Sequence, residues 1–158
     1  MKEIINALDE QFALLHRRSR DLITRISPDL LYRRPPGATD SRQLSSCGEY
    51  VLRSAAVVEQ TFGGLTANLW DDPFEWTLPE TLSTPEKMAH YLDEVEDTRR
   101  RGFELFTDDQ DLLKEIMAPS GEKQLRALLL DTHARAAHYL ATAEAAFQSG
   151  IWNLESGI

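Results

Sequence analysis

The chain has 158 residues, with 26 acidic against 17 basic side chains and a formal net charge of −9. A single domain of this length can bury roughly two-thirds of the surface its unfolded chain exposes, so residues 1–158 read as one domain that folds without a metal or a disulfide. The charge argues against nucleic acid and anionic membranes as partners, and a composition rich in Leu, Ala, Glu and Arg favours helices over sheet.

The first segment repeats apolar residues at Ile5, Leu8, Phe12, Leu15, Leu22 and Ile26, with only Ser19 breaking the stripe. That spacing predicts a long amphipathic helix. It stops at Ser27-Pro28, because the proline ring removes a donor and biases Ser27 away from the helical region. Ser27 then caps a short turn through Tyr32, and the punctuators from Arg34 to Asp40 predict a loop. Ser46-Cys47-Gly48-Glu49 is a capping box that opens a second long helix, with Val51, Ala55, Val58 and Phe62 on its apolar face. Gly63-Gly64 either ends that helix or lets it pack closely against a neighbour before Leu69. The segment Trp70–Pro79 has no helical period and predicts an ordered crossover held down by its aromatic rings.

Thr84-Pro85-Glu86 supplies a capping hydroxyl, a first-turn proline and a first-turn acid, so a third long helix starts there. Met88, Leu92, Val95, Gly102 and Phe106 form its inner stripe, and it ends near Thr107-Asp108-Asp109. The run Arg99-Arg100-Arg101, downstream of Asp93, Glu94, Glu96 and Asp97, reads as a solvated face with charge partners one turn away. A link with a turn at Leu112-Leu113 leads through Pro119-Ser120-Gly121 to a fourth long helix. That helix is expected from about Glu122 to Gln148, with Leu125, Leu129, Thr132, Ala136, Tyr139, Ala143 and Phe147 inward and Gly150 as its stop. Four long helices, each with one large apolar face, predict an all-α, antiparallel four-helix bundle.

The single cysteine, Cys47, excludes an intrachain disulfide and suits a reducing compartment. The first residues lack the apolar core of a signal peptide, and no segment has about 18 uninterrupted apolar residues, so a cytoplasmic location is expected. At the start of the second long helix Cys47 has no histidine near it in sequence and reads as inert packing rather than a nucleophile. His16 and His90 read as surface or boundary residues. His133 and His138 are five residues apart, about 140° around an unbroken helix, and cannot share one metal ion. Asp131, Arg135 and His138 lie along one face, and Glu49 and Arg53 repeat the acid-before-base spacing on the second long helix. Each acid–base couple is a solvated pair in the simplest case. If both faces turn inward, Glu49, Arg53, Asp131 and His138 would form a charged cluster that fixes register or lines a ligand pocket.

The Pro-Pro-Gly loop, the segment Ser46–Glu59 and the segment Asp131–Tyr139 together resemble the DinB/YfiT-like family. The resemblance covers most of the chain. It implies a four-helix bundle, often a homodimer, in which one histidine of the second long helix and two of the fourth hold a divalent metal for thiol-dependent transferase or hydrolase chemistry. Carried over residue by residue, the second-helix ligand falls at Arg53 or Ser54. His138 fits the last position of the fourth helix, Ala134 occupies the position four earlier, and His133 is displaced by one. A cation at Arg53 would oppose a divalent ion. The chain therefore reads as a bundle of this type with no standard metal centre and no expected cofactor, acting as a small-molecule-binding or dimerising module. The alternative is a metal-dependent enzyme, with nickel or zinc held by His138 and a carboxylate from Asp131 or Glu49.

Overall fold

The computed structural model describes residues 1–34, 45–75 and 79–155. The predicted loop residues from Pro35 to Asp40, and Trp76, Thr77 and Leu78 of the crossover, lie outside these. The chain is predominantly helical: α1 (Glu3–Arg25), a short α2 (Pro28–Leu31), α3 (Cys47–Ala67), α4 (Pro85–Glu104) and α5 (Leu125–Glu155). Single 3-10 turns occupy Pro73–Glu75 and Asp109–Leu113, and a hairpin of β1 (Glu115–Ala118) and β2 (Gly121–Gln124) precedes α5.

Helix boundaries follow their caps. Ser46 accepts from the Glu49 amide at 3.2 Å and Glu49 accepts from the Ser46 amide at 3.0 Å, completing the box that opens α3. Thr84 accepts from the Lys87 amide in front of Pro85 at the start of α4. For α1 the cap comes from elsewhere in the chain. Lys2 offers no side-chain cap, and the Asp109 carboxylate accepts from the amides of Ile4 and Ile5 at 3.1 and 3.0 Å. Asp109→Ala is therefore expected to cost about 1 kcal/mol. Urea denaturation measures that loss, and faster amide exchange confined to Ile4 and Ile5 locates it.

Each long helix packs against two others: α1 on α4 and α5, and α3 on α4 and α5. Side-chain pairs give the directions. Phe12 meets His133, Arg18 pairs with Glu144 and the Arg25 guanidinium covers Phe147, so α1 and α5 run parallel. Arg99 to Asp9 and Asp93 to His16 set α4 antiparallel to α1. Ser54 donates to the Ala136 carbonyl at 2.8 Å and Thr61 bonds Thr132 at 2.6 Å, so α3 is antiparallel to α5. It follows that α3 and α4 run parallel, joined by the crossover, so the expected antiparallel packing holds for α1 on α4 and α3 on α5 but not for α1 on α5 or α3 on α4, because the long crossover lets the chain return to the same end before α4 begins.

The crossover is held by Trp70, whose ring lies directly on Gly64; a Cβ there would come within 2.2 Å of it. Gln60 donates to the Trp70 carbonyl at 2.9 Å, and Asn68, in the left-handed region at φ 55°, accepts from the indole nitrogen at 3.0 Å. Gly63 and Gly64 thus lie inside α3, and the close-packing alternative holds for Gly64. Phe12, Phe62 and Phe103 meet at the centre of the core, with Phe62 to Phe12 centroids 5.3 Å apart and Phe62 to Phe103 centroids 5.4 Å apart.

Three further expectations need correction. Residues 122–124 are strand rather than the first turn of the last helix, because Gly121 takes φ 115° and closes a two-residue turn after Pro119-Ser120. The last helix continues through Gly150 to Glu155, since one glycine costs only about 1 kcal/mol in a helix otherwise well supported. The third predicted helix ends at Glu104, and Phe106 reaches the core from beyond it. Among the described residues no helix is long and apolar enough to cross a membrane.

Candidate functional site

The residues singled out from sequence go to different places. Glu49 is held by its capping box and by Arg34 at 3.1 Å. Arg53 turns toward the crossover, its guanidinium 4.1 Å from the centroid of Phe74. Asp131 is half-exposed and faces Arg135 at 3.9 Å, the solvated pair of the simpler reading. His138 is exposed, with its ring beside Tyr139. Glu49 and Arg53 share α3 but have separate partners, and Asp131 and His138 lie on the outer side of α5. Arg53→Ala is accordingly expected to cost about 0.5–1 kcal/mol, the range of an accessible cation on a ring, rather than the ~3–5 kcal/mol of a broken buried charge cluster. Chemical denaturation distinguishes the two.

The resemblance carries its second-helix ligand to Arg53 or Ser54, and the two side chains go to different places. Ser54, not Arg53, faces α5, and its hydroxyl is spent on the Ala136 carbonyl. On α5 the residues turned toward α3 are Thr132 and Ala136, while His133 turns the other way, onto Phe12 and the Gln11 backbone of α1. Among the described residues no group of three or more His, Cys, Asp or Glu side chains is placed to hold a metal ion. Cys47 is buried, and burial, with Glu144 adding negative charge, pushes its thiol up to about 12, so it packs as an apolar side chain.

The concentration of buried charge lies instead between α1 and α4. Arg99 is 2 % exposed and Glu96 5 % exposed. Arg99 donates through Nε and one terminal nitrogen to the two Glu96 oxygens at 2.8 and 2.7 Å, a bidentate pair, and its other terminal nitrogen bonds the Asp9 carboxylate. The expectation of a solvated arginine run fails here for Arg99, whereas Arg100 and Arg101 are exposed. The reason is periodicity: Arg99 falls on the buried side of α4 with Leu92, Val95 and Phe103. Positions 92, 95, 96, 99 and 103 follow helical spacing, which is the signal that could have found it.

Arg99 separates two concave regions. Outward, between α1 and α4, lies a groove of about 420 Å³ with Ile5 and Phe103 along its floor and Asn6, Glu10, Arg100 and Glu104 around its rim. Inward, a pocket of about 30 Å³ is bounded by α1, α3 and α4, with His16, Ser19, Ser54, Glu96 and Arg99 among its walls.

His16 and His133 sit on either side of α1, both partly buried, and burial lowers both below the ordinary histidine range. For His16 the charges of Glu96 and Asp93 pull the other way, and Arg20 and Arg100 add to the lowering. For His133 the bond to the Gln11 backbone raises the value and Arg18 lowers it. A histidine depressed by folding takes its proton first in the unfolded chain, so its contribution is whole above the unfolded value, about 6.5, and is lost as pH falls through the lowered folded value. Stability should decline between pH 7 and pH 5. Urea midpoints across that range check the trend, and His16→Gln and His133→Gln should each flatten it.

Comparison with protein families, with curated proteins and with solved structures finds no match.

Proposed function

We propose that this chain is a four-helix bundle of the DinB/YfiT-like type that serves as a binding module for a small polar molecule and does not carry that family's divalent-metal centre. The helix arrangement supports the bundle: α1 and α3 each pack on both α4 and α5. The observation that carries the binding reading is the groove of about 420 Å³ between α1 and α4, within the roughly 300–1,000 Å³ typical of small-molecule sites. Its floor is apolar and its rim carries both signs of charge, which suits a compact molecule with polar ends, such as one of amino-acid size. Support for the missing metal centre comes from Ser54, which is bonded to α5 backbone, and Arg53, which stacks on Phe74.

A thermal-shift screen of small amines, amino acids and carboxylic acids, with elemental analysis of the same protein, tests both halves. Binding at a native site raises the melting temperature by mass action. The proposal expects a shift with a small organic molecule that is lost in Glu10→Ala/Glu104→Ala, and no stoichiometric metal. Stoichiometric nickel or zinc that raises the melting temperature and disappears in His138→Ala would overturn the metal-free reading in favour of a metal-binding one.

A further inference from the structure

The groove between α1 and α4 is lined by charges of both signs, but most of its positive charge is already committed within the fold. Arg99 directs its three nitrogens to Glu96 and Asp9, and Arg100 lies 3.4 Å from a Glu96 oxygen. Glu96 is 5 % exposed, so Arg99 cannot turn to a ligand without leaving a buried carboxylate poorly compensated. The acids of the rim differ. Glu10 on α1 and Glu104 on α4 are both exposed, and among the described residues neither side chain has an ion-pair or hydrogen-bond partner. Lys2 is the one lining cation in the same condition. The groove's uncommitted charge is therefore mainly negative.

The two acids stand on opposite walls and at different heights. Asp9 meets Arg99 and His16 meets Asp93 across these antiparallel helices, which puts Glu104 level with the start of α1 and Glu10 about five residues further along. At 1.5 Å per residue the offset is roughly 8 Å along the groove. Ile5 and Phe103 form the apolar floor between the walls. An alkyl chain packs on such a floor while its charged ends stay in water-facing positions. A dicarboxylate would meet like charge at both walls, and a zwitterion would place its own carboxylate against one of them. The net charge of −9 adds a field that draws cations toward the chain.

We propose that the ligand of this groove is an aliphatic diamine in its doubly protonated form, an assignment that rests on reading the groove as a small-molecule site. One ammonium pairs with Glu10 and the other with Glu104. A chain of about four to six carbons crosses Ile5 and Phe103 and brings each ammonium within the reach of a charge-assisted hydrogen bond. Lys2, at the Glu104 end, opposes the second ammonium and sets an upper limit on affinity.

The test is calorimetric titration of the whole chain with diaminobutane, diaminopentane and diaminohexane, against butylamine, succinate and free glycine. One diamine is expected to bind per chain, more tightly than butylamine, and to shift the Ile5 methyl and Phe103 ring resonances. Glu10→Gln and Glu104→Gln should each weaken it by about three- to fivefold, the loss of one exposed ion pair, and Lys2→Gln should strengthen it. Asp29→Asn, beyond the far end of α1, should change nothing. Diamine affinity that is unchanged in both glutamine variants, or reduced equally by Asp29→Asn, would mark diffuse attraction to an acidic chain and overturn the assignment. If succinate or glycine moves the Ile5 and Phe103 resonances and no diamine does, the small-molecule site stands and the dication fails. If none of the six probes moves them, the dication fails, and the broader thermal-shift screen decides the site itself.

Discussion

Replacing Arg99 by alanine is expected to destabilise the protein by about 3–5 kcal/mol, the usual cost of leaving one partner of a buried ion pair uncompensated. The magnitude follows from placement: Glu96 is 5 % exposed and both its oxygens are bonded to Arg99. Taking away the guanidinium leaves a buried carboxylate with only the exposed Arg100, 3.4 Å from one of its oxygens, as counter-charge. Removing both charges, as in Glu96→Leu/Arg99→Met, should restore much of the loss, because an apolar pair of similar volume avoids the desolvation penalty on each side. Urea denaturation of the single and double variants at pH 7 forms the decisive cycle. If Arg99→Ala lost under 1 kcal/mol, the pair would behave as a solvated surface bridge and its burial would be wrong.

Phe62→Ala should be comparably damaging, at about 3–5 kcal/mol. Phe62 is fully buried, its ring meets Phe12 edge-on and Phe103 at a tilt, and its Cδ1 lies against Gly102. A Cβ at Gly102 would come within 2.5 Å of the ring, so Gly102→Ala alone forces repacking and should cost about 1–3 kcal/mol. In the Phe62→Ala background the same methyl meets empty space. Gly102→Ala should then turn neutral or stabilising, and thermal denaturation of the four proteins reads that coupling as a reversal of sign.

Much of this architecture was legible because its signals are local. The Ser46 box, Thr84-Pro85 and the apolar stripes of α1, α3 and α4 each announce an element within a few residues. The hairpin before α5 was missed because strands of four residues carry little alternation, and the positive φ of Gly121 shows only once a turn has formed. The candidate site was less legible. Charge spacing ranked Glu49, Arg53, Asp131 and His138 together, but spacing along one helix does not say which neighbour its face meets. Conversely, Arg99 looked solvated because two exposed arginines follow it. Its burial depends on Asp9, ninety residues away, and no reading of α4 alone contains that partner.

The order of helix packing constrains how this chain can fold. α1 and α3 precede the crossover, α4 and α5 follow it, and every principal helix interface joins a member of the first pair to a member of the second. Neither half has an extensive interface of its own to bury its apolar faces. A fragment ending at Ala67 should therefore remain largely unstructured, as should one beginning at Pro85, while the two mixed together assemble. On the ribosome the first half must wait for the second, so the contacts that stabilise this helical protein are long in sequence and its folding should be slow for an all-helical chain of this size.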